Sequence, residues 1–275
     1  MPLVAIGRPE LDLESGGTIE PVVRAINPRA IINAAAYTAV DRAESEPDRA
    51  FAVNRDGAGR LAREAQRRGV PLIHISTDYV FDGRKSSPYV EADPAEPLNV
   101  YGRSKLEGEA AVREACADAI VLRTSWLYSA HDRNFLTTML RLAEKQNPVR
   151  VVDDQHGTPT AAGDLATALL EILEQVRPES LRSAAGIYHL TARSETTWHG
   201  FAAAIFAGCA RRGRDPPRLV AISSAEYPTA AVRPANSRLD CSRVERQFGI
   251  RLPPWQQSLD PCLDQVLTRA EPERC

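Results

Sequence analysis

Lysine is almost absent from this 275-residue chain: of 34 basic residues, all but Lys85, Lys105 and Lys145 are arginine. Arginine therefore does the routine surface work. A lysine in a distinctive setting stands out, because an ammonium can be tuned by its surroundings and a guanidinium cannot. Long hydrophobic runs are missing too, and none approaches the ~20 residues of a membrane span. Residues 1–12 lack the basic stretch and apolar core of a signal peptide. The five cysteines (Cys116, Cys209, Cys241, Cys262 and Cys275) are odd in number, scattered and without a C-x-x-C pair. They read as reduced thiols in a cytoplasmic protein. No charge excess exists: 34 basic residues face 36 acidic ones, so neither nucleic acid nor a membrane surface is an expected partner. His131, His156, His189 and His199 show no metal-ligand spacing, and His74 lies within a strand pattern as a packed core residue. No metal is expected.

What is present is ordinary in bulk. Hydrophobic residues make up 43% and charged residues 25%, as in a soluble globular protein, and the length suits two domains or one large α/β domain. Short β-rich runs at 3–7, 30–35, 71–76, 119–124, 149–152, 186–190 and 218–222 alternate with helical patterns. The helices are expected at 18–26, 46–68, 101–116, 134–146, 160–176 and 197–212, with Gly69 closing the second of them. This alternation predicts an α/β fold with a doubly wound parallel sheet. The proline-rich stretches after residue 213 suggest a smaller, looser C-terminal region.

The strongest local constellation runs from Ser76 to Lys105. A strand ends in S-T-D-Y-V-F-D-G, and ligands of open α/β sheets bind outside the carboxyl ends of strands. Thr77 and Asp78 are placed for substrate there, although capping the loop is the plainer role. One loop later, Tyr101-Gly102-Arg103-Ser104-Lys105 puts a phenol and an ammonium one helical turn apart on one face. The ammonium is expected to lower the tyrosine pKa, making Tyr101 a general acid for a carbonyl oxygen during hydride delivery.

Six segments in order resemble the dTDP-4-dehydrorhamnose reductase family of extended short-chain dehydrogenase/reductases: I-N-A-A-A-Y-T-A-V-D-R-A-E at 32–44, S-T-D-Y-V-F-D-G at 76–83, P-L-N-V-Y-G-R-S-K at 97–105, R-T-S-W-L-Y at 123–128, D-D-Q-H-G-T-P-T at 153–160 and R-P-A-N-S-R-L-D at 233–240. The resemblance implies a Rossmann-like fold and reduction of the C4 ketone of dTDP-4-dehydro-L-rhamnose to dTDP-L-rhamnose. The hydride would come from NADPH, with NADH as the alternative. It implies Thr77, Tyr101 and Lys105 as the catalytic set. Asp12, Leu13, Ala36, Tyr37 and Thr38 would border the cofactor together with Tyr101 and Lys105. Thr77, Asp78, Trp126 and Arg233 would meet the dTDP-sugar, and the family allows a homodimer. Gln155 and His156 could reach the substrate, although a structural turn suits them about as well, and Arg233 and Asn236 could contact the nucleotide-sugar diphosphate, where a stacked or paired surface arginine is the plainer reading. Arg8 occupies the region that selects the ribose 2′-substituent, where arginine suits a phosphate, unless it is one more surface arginine.

By motif order, 1–148 would be the dinucleotide-binding domain, with 161–190 packed onto it, and 149–160 with 191–275 the substrate-binding region. The expected opening of such a domain, a strand, a G-x-x-G-x-x-G turn and a helix, does not occur near residue 1. Gly57-Ala58-Gly59-Arg60-Leu61-Ala62 fits the looser pattern but lies inside a helix. Residues 3–7 match the family's second strand, so the fold is expected to be N-terminally incomplete, with a gap or a new pairing in the sheet and impaired cofactor binding. Two rivals stand beside this reading. One is a non-catalytic subunit like the regulatory subunit of methionine adenosyltransferase, against which the retained Tyr101 and Lys105 argue. The other is a reductase of another nucleotide-linked deoxy-keto sugar.

Overall fold

The computed structural model describes residues 2–176 and 180–269; Cys275 lies outside them. In chain order the elements are α1 (Ile19–Ile26), β1 (Ile31–Asn33), α2 (Val40–Ala43), α3 (Pro47–Phe51), α4 (Ala58–Arg68), β2 (Leu72–Thr77), α5 (Val100–Ala115), β3 (Ile120–Thr124), β4 (Leu127–Tyr128), α6 (Phe135–Ala143), β5 (Val149–Val152), β6 (His156–Gly157), β7 (Thr160–Ala161), α7 (Ala162–Gln175), α8 (Leu181–Ala184), β8 (Gly186–His189), β9 (Thr196–Thr197), α9 (Trp198–Arg211), β10 (Leu219–Ile222), α10 (Ser242–Phe248) and α11 (Trp255–Arg269).

The main sheet is parallel, in the order β1-β2-β3-β8. Its central strands β2 and β3 are buried along most of their length, as parallel strands covered by helices on both faces must be. One core lies on this sheet, where Ile73, Leu122 and Tyr188 meet Leu165 and Ile172 of α7 and Phe248 of α10. A second core gathers α6, β5, α9 and α11 around Phe201, Ile205 and Trp255.

Two expectations fail. Residues 3–7 form no strand, and Leu3 and Val4 are 78% and 62% exposed. A strand needs a neighbour for its backbone N–H and C=O groups, and among the described residues none lies beside this segment. β1 is consequently an outer strand, with a gap rather than a new pairing on its free side. The C-terminal part is also not loose: Val244, Phe248, Leu259 and Leu263 are buried in the two cores. Pro216, Pro217, Pro228, Pro234, Pro253 and Pro254 lie in connections, while Pro261 lies inside α11.

The 46–68 helix forms, but it is interrupted by a π-helical turn over Ala52–Gly57. Such turns recur at functional sites. Here the turn carries Asn54, a buried polar side chain that the helical pattern gave no reason to notice.

Candidate active site

β2 and α5 bring the central residues together. Thr77 is the last residue of β2. Its hydroxyl accepts from the Tyr79 N–H at 3.2 Å, capping a 3-10 turn at Asp78–Val80, and donates to Asp78 Oδ1 at 2.9 Å. The capping role and a role toward ligand therefore fall on one hydroxyl. α5 starts at the side chain of Asn99, whose Oδ1 accepts from the Gly102 N–H at 2.7 Å, satisfying one of the free donors of a helix start. Gly102 is required by packing, since a Cβ there would lie 2.2 Å from the Tyr79 carbonyl oxygen. This close approach places the Tyr101 ring edge-on to Tyr79, with centroids 5.7 Å apart.

Lys105 is buried, at 2% exposure, and its Nζ donates to the Ile75 carbonyl at 2.7 Å. Burial pulls its pKa down to about 8, opposed by the Glu109 carboxylate. Burial also pushes the Tyr101 phenol up to about 12, with the Thr77 hydroxyl pulling it back and Asp78 adding to the rise. The expected lowering of the Tyr101 pKa is thus overturned, because removing the phenolate from water is the largest influence on the group. Asp78 is pushed up to about 6 by burial, against the Ser237 and Thr77 hydroxyls that hold it back.

The other expected residues lie around this centre in three groups. Tyr37 follows β1, and Asn54 clamps its backbone from both sides: Asn54 Oδ1 accepts from the Tyr37 N–H at 2.8 Å, and Asn54 Nδ2 donates to the Tyr37 carbonyl. The same Nδ2 donates to Ser104 Oγ on α5, so the segment with Ala36, Tyr37 and Thr38 is tied to the helix of Tyr101. Leu13 joins Tyr37 and Val100 in one apolar cluster against which Tyr101 packs. Asp12 is turned toward Arg8, at 3.0 Å, rather than toward Tyr101.

Trp126 lies just past the carboxyl end of β3, where Thr124 pairs in register with Thr77. Its backbone is left-handed, with φ of 48°, an uncommon conformation for a bulky residue. The Trp198 ring stacks on it at 3.5 Å, and Gly157 lies against it where a Cβ would come within 2.3 Å. Arg233 reaches in from the C-terminal loop, bonding Asp41 Oδ2 at 2.8 Å and the Ala231 carbonyl. Other residues weighed from the sequence are paired within the chain. Arg8 is a paired surface arginine, bound to Asp12 and Glu14. Gln155 bonds Ser224, and Asn236 is spent on the backbone carbonyls of Lys85 and Ser87. His74 is a core residue beside Asn33.

Sequence reasoning missed Asn54, Glu109 and Arg123. Glu109 had a usable signal, since it continues the four-residue spacing of Tyr101 and Lys105 along one helix face.

Comparisons over the whole chain point to one family. The family described as "RmlD substrate binding domain" matches residues 1–268. A dTDP-4-dehydrorhamnose reductase of Sinorhizobium fredii is 49% identical over 256 residues, covering 93% of this chain and 86% of that protein. The crystal structure of a dTDP-4-dehydrorhamnose reductase from Bacillus anthracis in complex with NADP superposes with a TM-score of 0.87 at 33% identity, over 94% of this chain and 89% of that one. A dTDP-glucose 4,6-dehydratase of Streptomyces venezuelae, at 19% identity and a TM-score of 0.75, shares the fold alone.

Proposed function

The chain belongs to the dTDP-4-dehydrorhamnose reductase family, and from that premise we propose that it reduces the C4 ketone of dTDP-4-dehydro-L-rhamnose to dTDP-L-rhamnose with NADPH, NADH being the alternative donor. The observation that carries the proposal is the meeting of Thr77 at the end of β2 with Tyr101 and Lys105 on α5.

The residues present fit a nicotinamide ribose and a ketone. An ammonium has three donors, and Lys105 gives one to Ile75. Thr124 Oγ1, buried at the same sheet edge, has no hydrogen-bond partner. A glycine-rich pyrophosphate turn is not found among the described residues, and no phosphate contact is assigned. When bound, the cofactor supplies the hydride that forms the new C4–H bond.

Tyr101 gives its phenolic proton to the ketone oxygen as negative charge develops there. A high phenol pKa suits this role: the proton stays on Tyr101 in the resting site and is still released to an alkoxide, the conjugate base of a weaker acid. Thr77 turns its single hydroxyl proton from Asp78 toward the same oxygen, stabilising the charge. Lys105 holds the ribose and stabilises the Tyr101 phenolate until solvent reprotonates it. Trp126, stacked on Trp198, packs against the sugar, and Asp78 and Arg233 meet the nucleotide-sugar. Asp12, Leu13, Ala36, Tyr37 and Thr38 form the cofactor side. The division into a dinucleotide-binding part (1–148 with 161–190) and a substrate part (149–160 with 191–275) belongs to this proposal, supported by Leu165 and Tyr188 in the core of the main sheet. So do a cytoplasmic setting and a homodimer.

Steady-state NADPH oxidation in the presence of dTDP-4-dehydro-L-rhamnose, with the product identified by NMR, tests this directly. Conversion to dTDP-L-rhamnose is expected, with the impaired cofactor binding that the sequence reading anticipates. Turnover only with a different nucleotide-linked keto sugar would replace this substrate by that one, and a tight protein partner without turnover would favour a regulatory role.

A further inference from the structure

Glu109 takes no part in the chemistry assigned to Thr77, Tyr101 and Lys105, yet its carboxylate acts on Lys105 and bonds the residue before Thr77. It lies one turn beyond Lys105 on α5 and is only 2% exposed. The Arg123 guanidinium grips it with both prongs, Nε to Oε1 at 2.9 Å and Nη2 to Oε2 at 2.7 Å. Ser76, the residue before Thr77, donates its hydroxyl to the same Oε1. One buried carboxylate thus ties together α5, β2 and β3, the three elements that carry the site. Stability is a weak reason for such an arrangement, because desolvating an ion pair costs about as much as the pairing returns.

We propose that Glu109, held by Arg123, is the positioning residue of this site: it fixes the Ser76–Thr77 strand end against α5 and keeps Lys105 in its ammonium form. The proposal rests on the reductase reading and adds the device that sets the charge of its lysine. Lys105 is faced by Glu109 on α5 and by His74 on β2. Arg123 is faced by Glu109, by His189 on β8 and by the Phe81 ring. Both histidines are held neutral by burial, His189 down to about 3 and His74 well below its ordinary value, each lowered further by the neighbouring cation. The neighbouring charge that acts on Lys105 is therefore the carboxylate of Glu109, which Arg123 grips.

The signs follow from Coulomb's law. Glu109→Gln removes the attraction that opposes the effect of burial, so Lys105 loses its proton at lower pH. Arg123→Gln leaves the carboxylate uncompensated, so Lys105 holds its proton to higher pH. Simple loosening of the site would admit water and move both variants upward, toward the ordinary lysine value.

The scarcity of lysine makes the test direct. Lysine labelled with carbon-13 at Cε gives NMR signals from three residues only, and Lys105→Arg identifies the one of interest. In the whole chain, the Lys105 titration midpoint should fall by about one pH unit or more in E109Q and rise in R123Q. In the R123Q background, adding E109Q should lower it again, and this neutral pair carries the test if E109Q does not fold. An unchanged midpoint on loss of Glu109, or movement of both single variants in the same direction, overturns the proposal. Because the readout needs no turnover, a protein that fails to reduce the sugar would sink the reductase reading without touching this result. Where turnover is seen, the alkaline limb of the kcat/KM profile should move with the NMR midpoint.

Discussion

The two flanks of the main sheet teach opposite lessons. At the carboxyl ends of β2 and β3 the polar groups are tied to one another, Thr77 to Tyr79 and Asp78, Lys105 to Ile75, and Glu109 to Arg123 and Ser76, while Thr124 Oγ1 and Asp78 Oδ2 are left without a partner. On the other flank β1 is an outer strand, and residues 2–9 run past without joining it, their apolar side chains largely in water. A site built from a helix and the strand beneath it carries its own geometry, because both elements are locally determined and pack face to face. A strand at the sheet edge exists only through its neighbour.

This contrast can be broken or sharpened by substitution. The largest effect belongs to Tyr101→Phe, which removes one hydroxyl and should lower kcat by about 10²–10⁴-fold while NADPH binding, read by fluorescence, stays near that of the parent. Next comes Arg123→Ala, which strands a buried carboxylate and should cost about 3–5 kcal/mol of folding stability, measured by urea denaturation. A loss under 1 kcal/mol there would mean that water or another group satisfies Glu109. Asn99→Ala removes the cap of α5 and its bond to the Val232 carbonyl, and should cost about 1 kcal/mol with a rise in KM for the sugar. The smallest effect is expected on the other flank, where Leu3→Ser and Val4→Ser should change stability by less than about 0.5 kcal/mol. A large loss there would show that this segment packs in solution, and the contrast between the flanks would disappear.

The legible parts of the molecule were those that depend on neighbours close in sequence. The Y-x-x-x-K spacing placed Tyr101 and Lys105 on one face, and the S-T-D run placed Thr77 at a strand end. Both placements hold because helix and strand periods are properties of the chain itself. Residues 3–7 had strand composition but lacked a pairing partner, which composition does not report. The Tyr101 pKa went the wrong way because a spacing reveals which charge is near and not how much water is removed. Glu109 and Arg123 were hidden for a different reason: in a chain so rich in arginine, one more Arg–Glu pair looks like surface chemistry until burial shows otherwise. Asn54 likewise looked like part of an ordinary helix until the π-turn brought it under Tyr37.

The central claim is that a hydride reaches C4 of the sugar while Tyr101 supplies the proton to its oxygen. Turnover of dTDP-4-dehydro-L-rhamnose with NADPH carrying deuterium at the transferred position of the nicotinamide tests this most directly. The account predicts dTDP-L-rhamnose with deuterium at C4, formed by the parent chain and nearly abolished in Tyr101→Phe. Consumption of NADPH with no deuterium at C4, or equal labelling by the Phe variant, would contradict it.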